Sequence, residues 1–332
     1  MSITMDNLKT KLGPADLKEG LTATKVKRFI GDYGIIILFV VILVFLAAAA
    51  PNFLTLNNIV NVVRQSSIIG LIALGMTFIM ITAGIDLSVG SVVGLAGMTF
   101  ALLAPASGGA FWLPLVAGLG VGLLVGFLSA AMVVWGAILP FLATLATMAI
   151  ARTAALVITD GQVVSGLSGP AEWLGSGFLG PIPVPVIIFL VAAIICEFVL
   201  SRTKFGSHVY AVGGNEESAK KVGISTGRVL FMVYLIGGVT AALGGLVLTA
   251  RLDGAAPVAG TGYELQVIAA VVIGGTSLFG GVGTIRGTVI GVLLLGVVMN
   301  GMNLMGVSSY FQQGVQGVIL VLAVLLNRWK SD

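Results

Sequence analysis

Apolar residues run in long blocks along this chain, and polar residues gather in the short stretches between them. A block of about 20 apolar residues crosses a bilayer as a helix. The blocks fall near residues 34–50, 66–83, 87–104, 113–135, 138–158, 184–200, 229–250, 265–279, 285–305 and 311–327. Pro51 stops the first, and Pro140 stands at the start of the fifth, where proline is tolerated. The pattern predicts an all-α polytopic membrane bundle of about ten spans over residues 34–328, with a basic amino-terminal tail over 1–33. Gly118, Gly122 and Gly126 recur at four-residue spacing on the fourth span. Small residues at that spacing let membrane helices approach closely.

One dense polar island breaks the pattern, SRTKFGSHVYAVGGNEESAKKVGISTGR, from Ser201 to Arg228. It holds Arg202, Lys204, Glu216, Glu217, Lys220, Lys221 and Arg228. Bundle spans are usually joined by short connections, so an island of this length needs another reason. Asn215 can cap a helix whose first turn carries Glu216 and Glu217 and whose last turn carries Lys220 and Lys221. That order suits the helix dipole, and Gly223 can end the helix. The island reads as a short surface helix presented to something soluble. In such a contact Ala219, Val222 and Ile224 would be the apolar anchors, with the four charged residues at the rim.

Composition fixes the class. Hydrophobic residues make up 58% and charged residues 9%, and the mean hydropathy is +1.12. A soluble domain is roughly a quarter charged. Lys and Arg then set orientation. Lys9, Lys11, Lys18, Lys25, Lys27, Arg28, the basic residues of the island, Arg286, Arg328 and Lys330 all fall on one side. Arg64 and Arg251 are assigned to loops on the other side, and Arg152 lies within the fifth span. Both termini and the island are therefore expected in the cytoplasm, and the loop with Asp160 and Glu172 outside. The net charge of +4 is an orientation signal and does not point to nucleic acid. The first apolar run follows a basic segment and reads as a retained span rather than a cleaved leader.

Reactive chemistry is scarce. Cys196 is the single cysteine, so no internal disulfide forms, and with His208 as the single histidine no zinc or iron cluster is available. No G-x-x-x-x-G-K-[ST] occurs, so the chain has no P-loop, and GGTSLFGGVGTIRG reads as loop geometry. Arg152, Glu197, Asp86 and Glu264 are the ionisable residues in or near spans. An ion-coupled secondary carrier, the alternative reading, would place paired carboxylates or a histidine at mid-depth, and no such set is present. Asp86 and Glu264 each precede a helix and read as caps. The stretches IDLSVGSVVGLAG and YELQVIAAVVIGG resemble one another. If spans one to five correspond to six to ten, the odd count inverts the second half, as in many transporters.

Four segments carry a family resemblance: IALGMTFIMITAGIDLSVGSVVGLAG, YAVGGNEESAKKVGIS, GTGYELQVIAAVVIGGTSLFGGVGTIRGT and NGMNLMGVSSYFQQGVQGVILVLAV. They resemble the permeases of monosaccharide ATP-binding cassette (ABC) importers of the ribose type, in order and over about residues 50 to 328. The resemblance implies a pore-forming subunit of the bacterial inner membrane that is not itself an enzyme. It implies a second permease copy, identical or related, two cytoplasmic ATPase subunits that hold ATP and magnesium, and a periplasmic sugar-binding protein. This chain would bind no cofactor, and its architecture would be that of the vitamin B12 importer permease. The family's coupling helix, which sits in a groove of the ATPase, matches Gly213, Gly214, Asn215, Glu216, Glu217, Ala219, Lys220, Lys221, Val222, Gly223 and Ile224. Two positions depart from the family's pattern: Ala151-Arg152-Thr153, where an Arg-Gly pair is common, and Gln266, where an acidic residue is common.

A sugar route needs small polar groups that bind weakly and an aromatic ring or two. Phe141, Thr144 and Thr147 are three apart on the fifth span and share a face. Asn300, Asn303, Gln312, Gln313 and Gln316 lie on the ninth and tenth spans. These eight residues are the expected pathway, with the fifth and tenth spans at a dimer axis. The bland alternative is that their hydroxyls and amides only bond neighbouring helices.

Overall fold

The computed structural model describes residues 37, 39–106, 111–167 and 169–331. The basic tail 1–33 and its cations lie outside the described residues. The chain divides into two compact units, Met1–Phe45 and Leu46–Asp332. The described residues of the first include the start of an apolar helix, α1 (Phe39–Ala49).

The second unit is a helical bundle. In order it holds α2 (Leu56–Ile81), α3 (Val89–Ala106), α4 (Trp112–Val134), α5 (Pro140–Val157), β1 (Val164–Ser165), α6 (Pro170–Ser176), β2 (Phe178–Leu179) and β3 (Ile182–Pro183). There follow α7 (Val184–Arg202), α8 (Lys204–Gly214), α9 (Glu216–Lys221), α10 (Thr226–Arg251), β4 (Gly254–Ala255), α11 (Tyr263–Ile273), α12 (Ile285–Leu304) and α13 (Ser309–Ser331). The strands are two-residue clips: β1 pairs antiparallel with β4, and β2 with β3.

α10 is the centre, packed by α2, α3 and α4. Both α2 and α10 have 26 residues, about 39 Å at 1.5 Å per residue, enough to cross a bilayer with some length to spare. The α4 glycine ridge works as expected. A Cβ on Gly122 would meet the carbonyl of Gly238 on α10, and one on Gly238 would meet the carbonyl of Gly122. The two backbones touch, and dispersion over a long contact does the work that water exclusion does in soluble proteins. The faces turned away from this core are apolar: Val116 and Leu124 of α4 and Ile194 and Phe198 of α7 are exposed, as lipid contact requires.

Among the described residues six helices are long and apolar enough to cross a membrane: α2, α4, α5, α7, α10 and α12. Four shorter apolar helices, Phe39–Ala49, Val89–Pro105, Tyr263–Ile273 and Ser309–Leu325, accompany them. The chain is a multi-pass helical membrane protein. Two boundaries differ from expectation. The second helix starts at Leu56, because Thr55 caps it with a hydroxyl that accepts from the Asn58 N–H at 3.4 Å. Arg64 is therefore not in a loop but inside α2, where its guanidinium lies 4.9 Å from the centre of the Phe178 ring. Arg251 is likewise the last residue of α10. The eighth helix ends at Ile273, because Gly275 takes φ +91 and turns the chain.

The two stretches that look alike in sequence meet in space. They open α3 and α11, and these helices abut at their amino ends: a Cβ on Gly90 would meet the Gly260 carbonyl and the Glu264 carboxylate.

Candidate functional site

The polar island folds into two helices, where the residue pattern predicted one. α8 begins at Thr203, whose hydroxyl accepts from the Gly206 N–H at 3.2 Å. α9 begins at Asn215, whose side-chain oxygen accepts from the Ser218 N–H at 2.7 Å. Asn215 also ends α8 in an extended conformation, so one residue serves both helices. Gly206, Gly213 and Gly214 give α8 a low intrinsic propensity, which hid it from pattern reading. Its Thr203 cap was the readable signal.

α9 ends as a Schellman motif. Gly223 has φ +87, its N–H donates to the Lys220 carbonyl at 3.0 Å, and the Ile224 N–H donates to the Ala219 carbonyl at 3.0 Å. Within the helix, Lys220 Nζ lies 2.7 Å from Glu216 Oε1, and the Thr226 hydroxyl donates to the same oxygen at 3.1 Å. The hydrogen bond from Lys220 is the main reason the Glu216 carboxyl sits below its ordinary range. Partial burial opposes it, and Thr226 adds to it. Glu217 and Lys221 are exposed and form no ion pair among the described residues.

Burial sorts the expected anchors. Val222 is 76% exposed and free to meet a partner, whereas Ala219 is 4% exposed. Ala219 therefore packs within this chain and is not a free anchor, and Ile224 is half-buried where it closes the Schellman turn. The pair is set firmly on the bundle. Val209 and Val212 are buried, and Phe205 stacks on Phe78 of α2 at 6.3 Å between centroids. The Tyr210 hydroxyl donates to the Gly283 carbonyl at 2.7 Å. Burial, with the Glu197 carboxylate second, raises the Tyr210 phenol above its usual value, so this donor keeps its proton at physiological pH. Nothing in the residue pattern singled out Tyr210 or Gly283.

The expected pathway residues separate into two groups. Thr144 and Thr147 are buried, at 0% and 1% exposure. Thr144 Oγ1 lies 2.9 Å from the Pro140 carbonyl and 3.1 Å from that of Ile85, and Thr147 Oγ1 lies 2.9 Å from Ser129 Oγ. Both hydroxyls are engaged in contacts between helices. Asn300 exchanges two hydrogen bonds with Asn58, at 2.9 and 2.8 Å, and is also a packing group. Phe141, Asn303 and Gln313 remain exposed. Gln312 donates to Asn303 Oδ1 at 2.8 Å and to the Val307 carbonyl at 2.9 Å, and Gln316 donates to Met299 Sδ at 3.2 Å. Tyr310 and Phe311, at 88% and 74%, extend this polar and aromatic edge of α12 and α13.

The ionisable residues near the core are all engaged. Asp86 is buried and accepts from the N–H and hydroxyl of Ser88 at 2.8 and 2.6 Å, a turn just ahead of α3. Glu264 accepts from the Gly262 N–H at 3.2 Å in the first turn of α11. Arg152 donates to the carbonyls of Pro257 and Ala259, within electrostatic reach of Glu264. Glu197 pairs with Arg286 at 3.0 Å. Among the described residues no group of three or more His, Cys, Asp or Glu could hold a metal ion. The arrangement comprises an exposed polar helix pair and a polar edge along the bundle.

Residues 58–324 match the family model described as "Branched-chain amino acid transport system / permease component". The chain belongs to that permease family. Among curated proteins, the ribose import permease protein RbsC of Bacillus subtilis is 43% identical over 298 residues, 88% of this chain and 91% of the relative. RbsC of Escherichia coli is 39% identical over 309 residues, covering 92% and 96%. The D-allose transport system permease protein AlsC of Escherichia coli is 41% identical over 302 residues, covering 90% and 92%. No solved structure matches the chain. Members of this family are transport subunits, not enzymes.

Proposed function

We propose that this chain is the membrane-spanning permease subunit of an ABC importer for a monosaccharide of the ribose, allose or arabinose kind. The carrying observation is 36–43% identity to such permeases over about nine-tenths of each chain. The polar helix pair is the coupling element: Val222 and the charged face of α9 meet the ATPase, and Ala219 and Ile224 hold the element's shape. ATP and magnesium belong to two ATPase subunits, and this chain binds neither. A periplasmic sugar-binding protein delivers solute at the opposite face, and a second permease copy completes the route.

The six long and four shorter apolar helices together make ten spans, with both termini and the α8–α9 pair in the cytoplasm of a bacterial inner membrane. The meeting of α3 and α11 at their amino ends favours an inverted repeat, and the architecture is that of the vitamin B12 importer. Solute passes along the α12–α13 edge, with Asn303 and Gln313 in reach. Labelled ribose, allose and arabinose offered to cells with and without this permease test the reading. Uptake of one of them that needs both this chain and an ATPase supports it; equal uptake of all three without the permease rejects it.

A further inference from the structure

Three segments far apart in sequence touch backbone to backbone beneath the helix pair. A Cβ on Gly213 of α8 would meet the carbonyl oxygen of Ile81, the last residue of α2, and would stand 2.7 Å from the Gly281 nitrogen. The Gly281 N–H donates to that same Ile81 carbonyl at 2.8 Å. A Cβ on Gly280, at φ +85, would lie 2.6 Å from the Gly213 carbonyl and 3.0 Å from the Ala83 Cβ. Tyr210 adds its hydrogen bond to Gly283, and Phe205 its stack on Phe78.

The carbonyls at the end of α2 need partners outside the helix, and Gly281 supplies one. Past Ile81 the chain turns at Ala83, which has φ 60. It then reaches Ile85, whose carbonyl lies 3.1 Å from the Thr144 hydroxyl of α5, and the buried Asp86. Side chains between two helices can absorb a displacement by changing rotamer; touching backbones cannot, and close-packed interiors transmit strain.

We propose that Gly213 and Tyr210 are positioning residues for coupling: with the 277–283 turn they seat the α8–α9 pair on the end of α2, and this joint carries its movement into the α2–α3 turn and α5. The inference rests on the coupling role proposed above. Apart from the joint, α9 meets the bundle through the buried Ala219, the short link to α10 and the Thr226–Glu216 hydrogen bond.

The test reconstitutes the permease with its ATPase and binding protein in liposomes. ATP hydrolysis and accumulation of a labelled mixture of ribose, allose and arabinose are read together, with the amount of assembled complex. Gly213→Ala should assemble normally and still hydrolyse ATP, while uptake per ATP falls about tenfold, a usual size for coupling between sites. Tyr210→Phe keeps the ring and loses the bond to Gly283; uptake per ATP should fall about threefold, the worth of one hydrogen bond. Gly120→Ala, on an open face of α4 with nothing within 4 Å of the added carbon, should match the unaltered protein. Unchanged uptake per ATP in Gly213→Ala overturns the proposal, as does a loss that only tracks the amount of complex. Should Gly213→Ala not accumulate, unchanged uptake per ATP in Tyr210→Phe overturns it instead. An ATPase that does not assemble with the unaltered permease rejects the coupling reading itself, and the inference falls with it.

Discussion

α5 and α13 carry similar small polar side chains and dispose of them in opposite ways. On α5, Thr144 and Thr147 are buried, and each hydroxyl lies near a carbonyl one turn back as well as near a neighbouring element. On α13, Gln313 is exposed and Gln312 reaches back to Asn303 across the α12–α13 turn. The reason is reach. A threonine hydroxyl can bond its own helix backbone and then pack like valine, whereas a glutamine amide stands away from its helix and needs a partner beyond it. Exposed amides facing hydrocarbon are costly, so the α13 edge is where water, solute or a second copy belongs.

The largest expected effects are on stability. Thr147→Leu overpacks the contact with Ser129 and should cost about 1–3 kcal/mol. Asn300→Leu leaves Asn58 Oδ1 without its partner, while Asn58 Nδ2 keeps its bond to the Phe53 carbonyl, at a cost of about 1–3 kcal/mol. Both should lower Tm in detergent. Gln313→Leu should leave Tm unchanged and lower sugar uptake about fivefold, the worth of one weak polar contact. If Thr147→Leu leaves Tm untouched and instead blocks uptake, the assignment of the two helices is reversed. Ser129→Ala removes only a hydroxyl pair between membrane helices and should cost about 0.6 kcal/mol.

The smallest effect sits on α9, where Glu216 satisfies itself locally with Lys220 and Thr226. Its carboxyl is held below the ordinary value, so the contribution to α9 is complete above the unfolded-state value and is lost as pH falls through the folded one. Protection of the Ser218 to Lys220 amides, relative to their intrinsic exchange rates, should therefore fall in mild acid, and Glu216→Gln should abolish that dependence.

Much of this was legible in the residues. Apolar blocks located every long helix, and Asn215, the Glu216–Lys221 charge order and Gly223 located α9, because caps and dipole partners act locally. The family and the transport role were legible too, since long motifs such as GIDLSVG and NEESAKK resist coincidence. What escaped depended on contacts distant in sequence. α8 is held by Phe78 and Gly283 rather than by propensity. Arg64 falls inside α2 because Thr55 starts that helix at Leu56, and its side chain meets the distant Phe178. Ala219 looked like an anchor until its burial was seen, and a spacing of three placed Thr144 and Thr147 on one face without saying which way it turned.

The contrast between α5 and α13 is tested most directly by single cysteines at positions 147 and 313, in a Cys196→Ser background, exposed to a polar thiol reagent in reconstituted vesicles. Cysteine at 313 should react, its modification should block uptake, and transported sugar should slow the reaction; cysteine at 147 should stay unreactive. Rapid, sugar-sensitive labelling at 147 with none at 313 would contradict the account and return the route to α5.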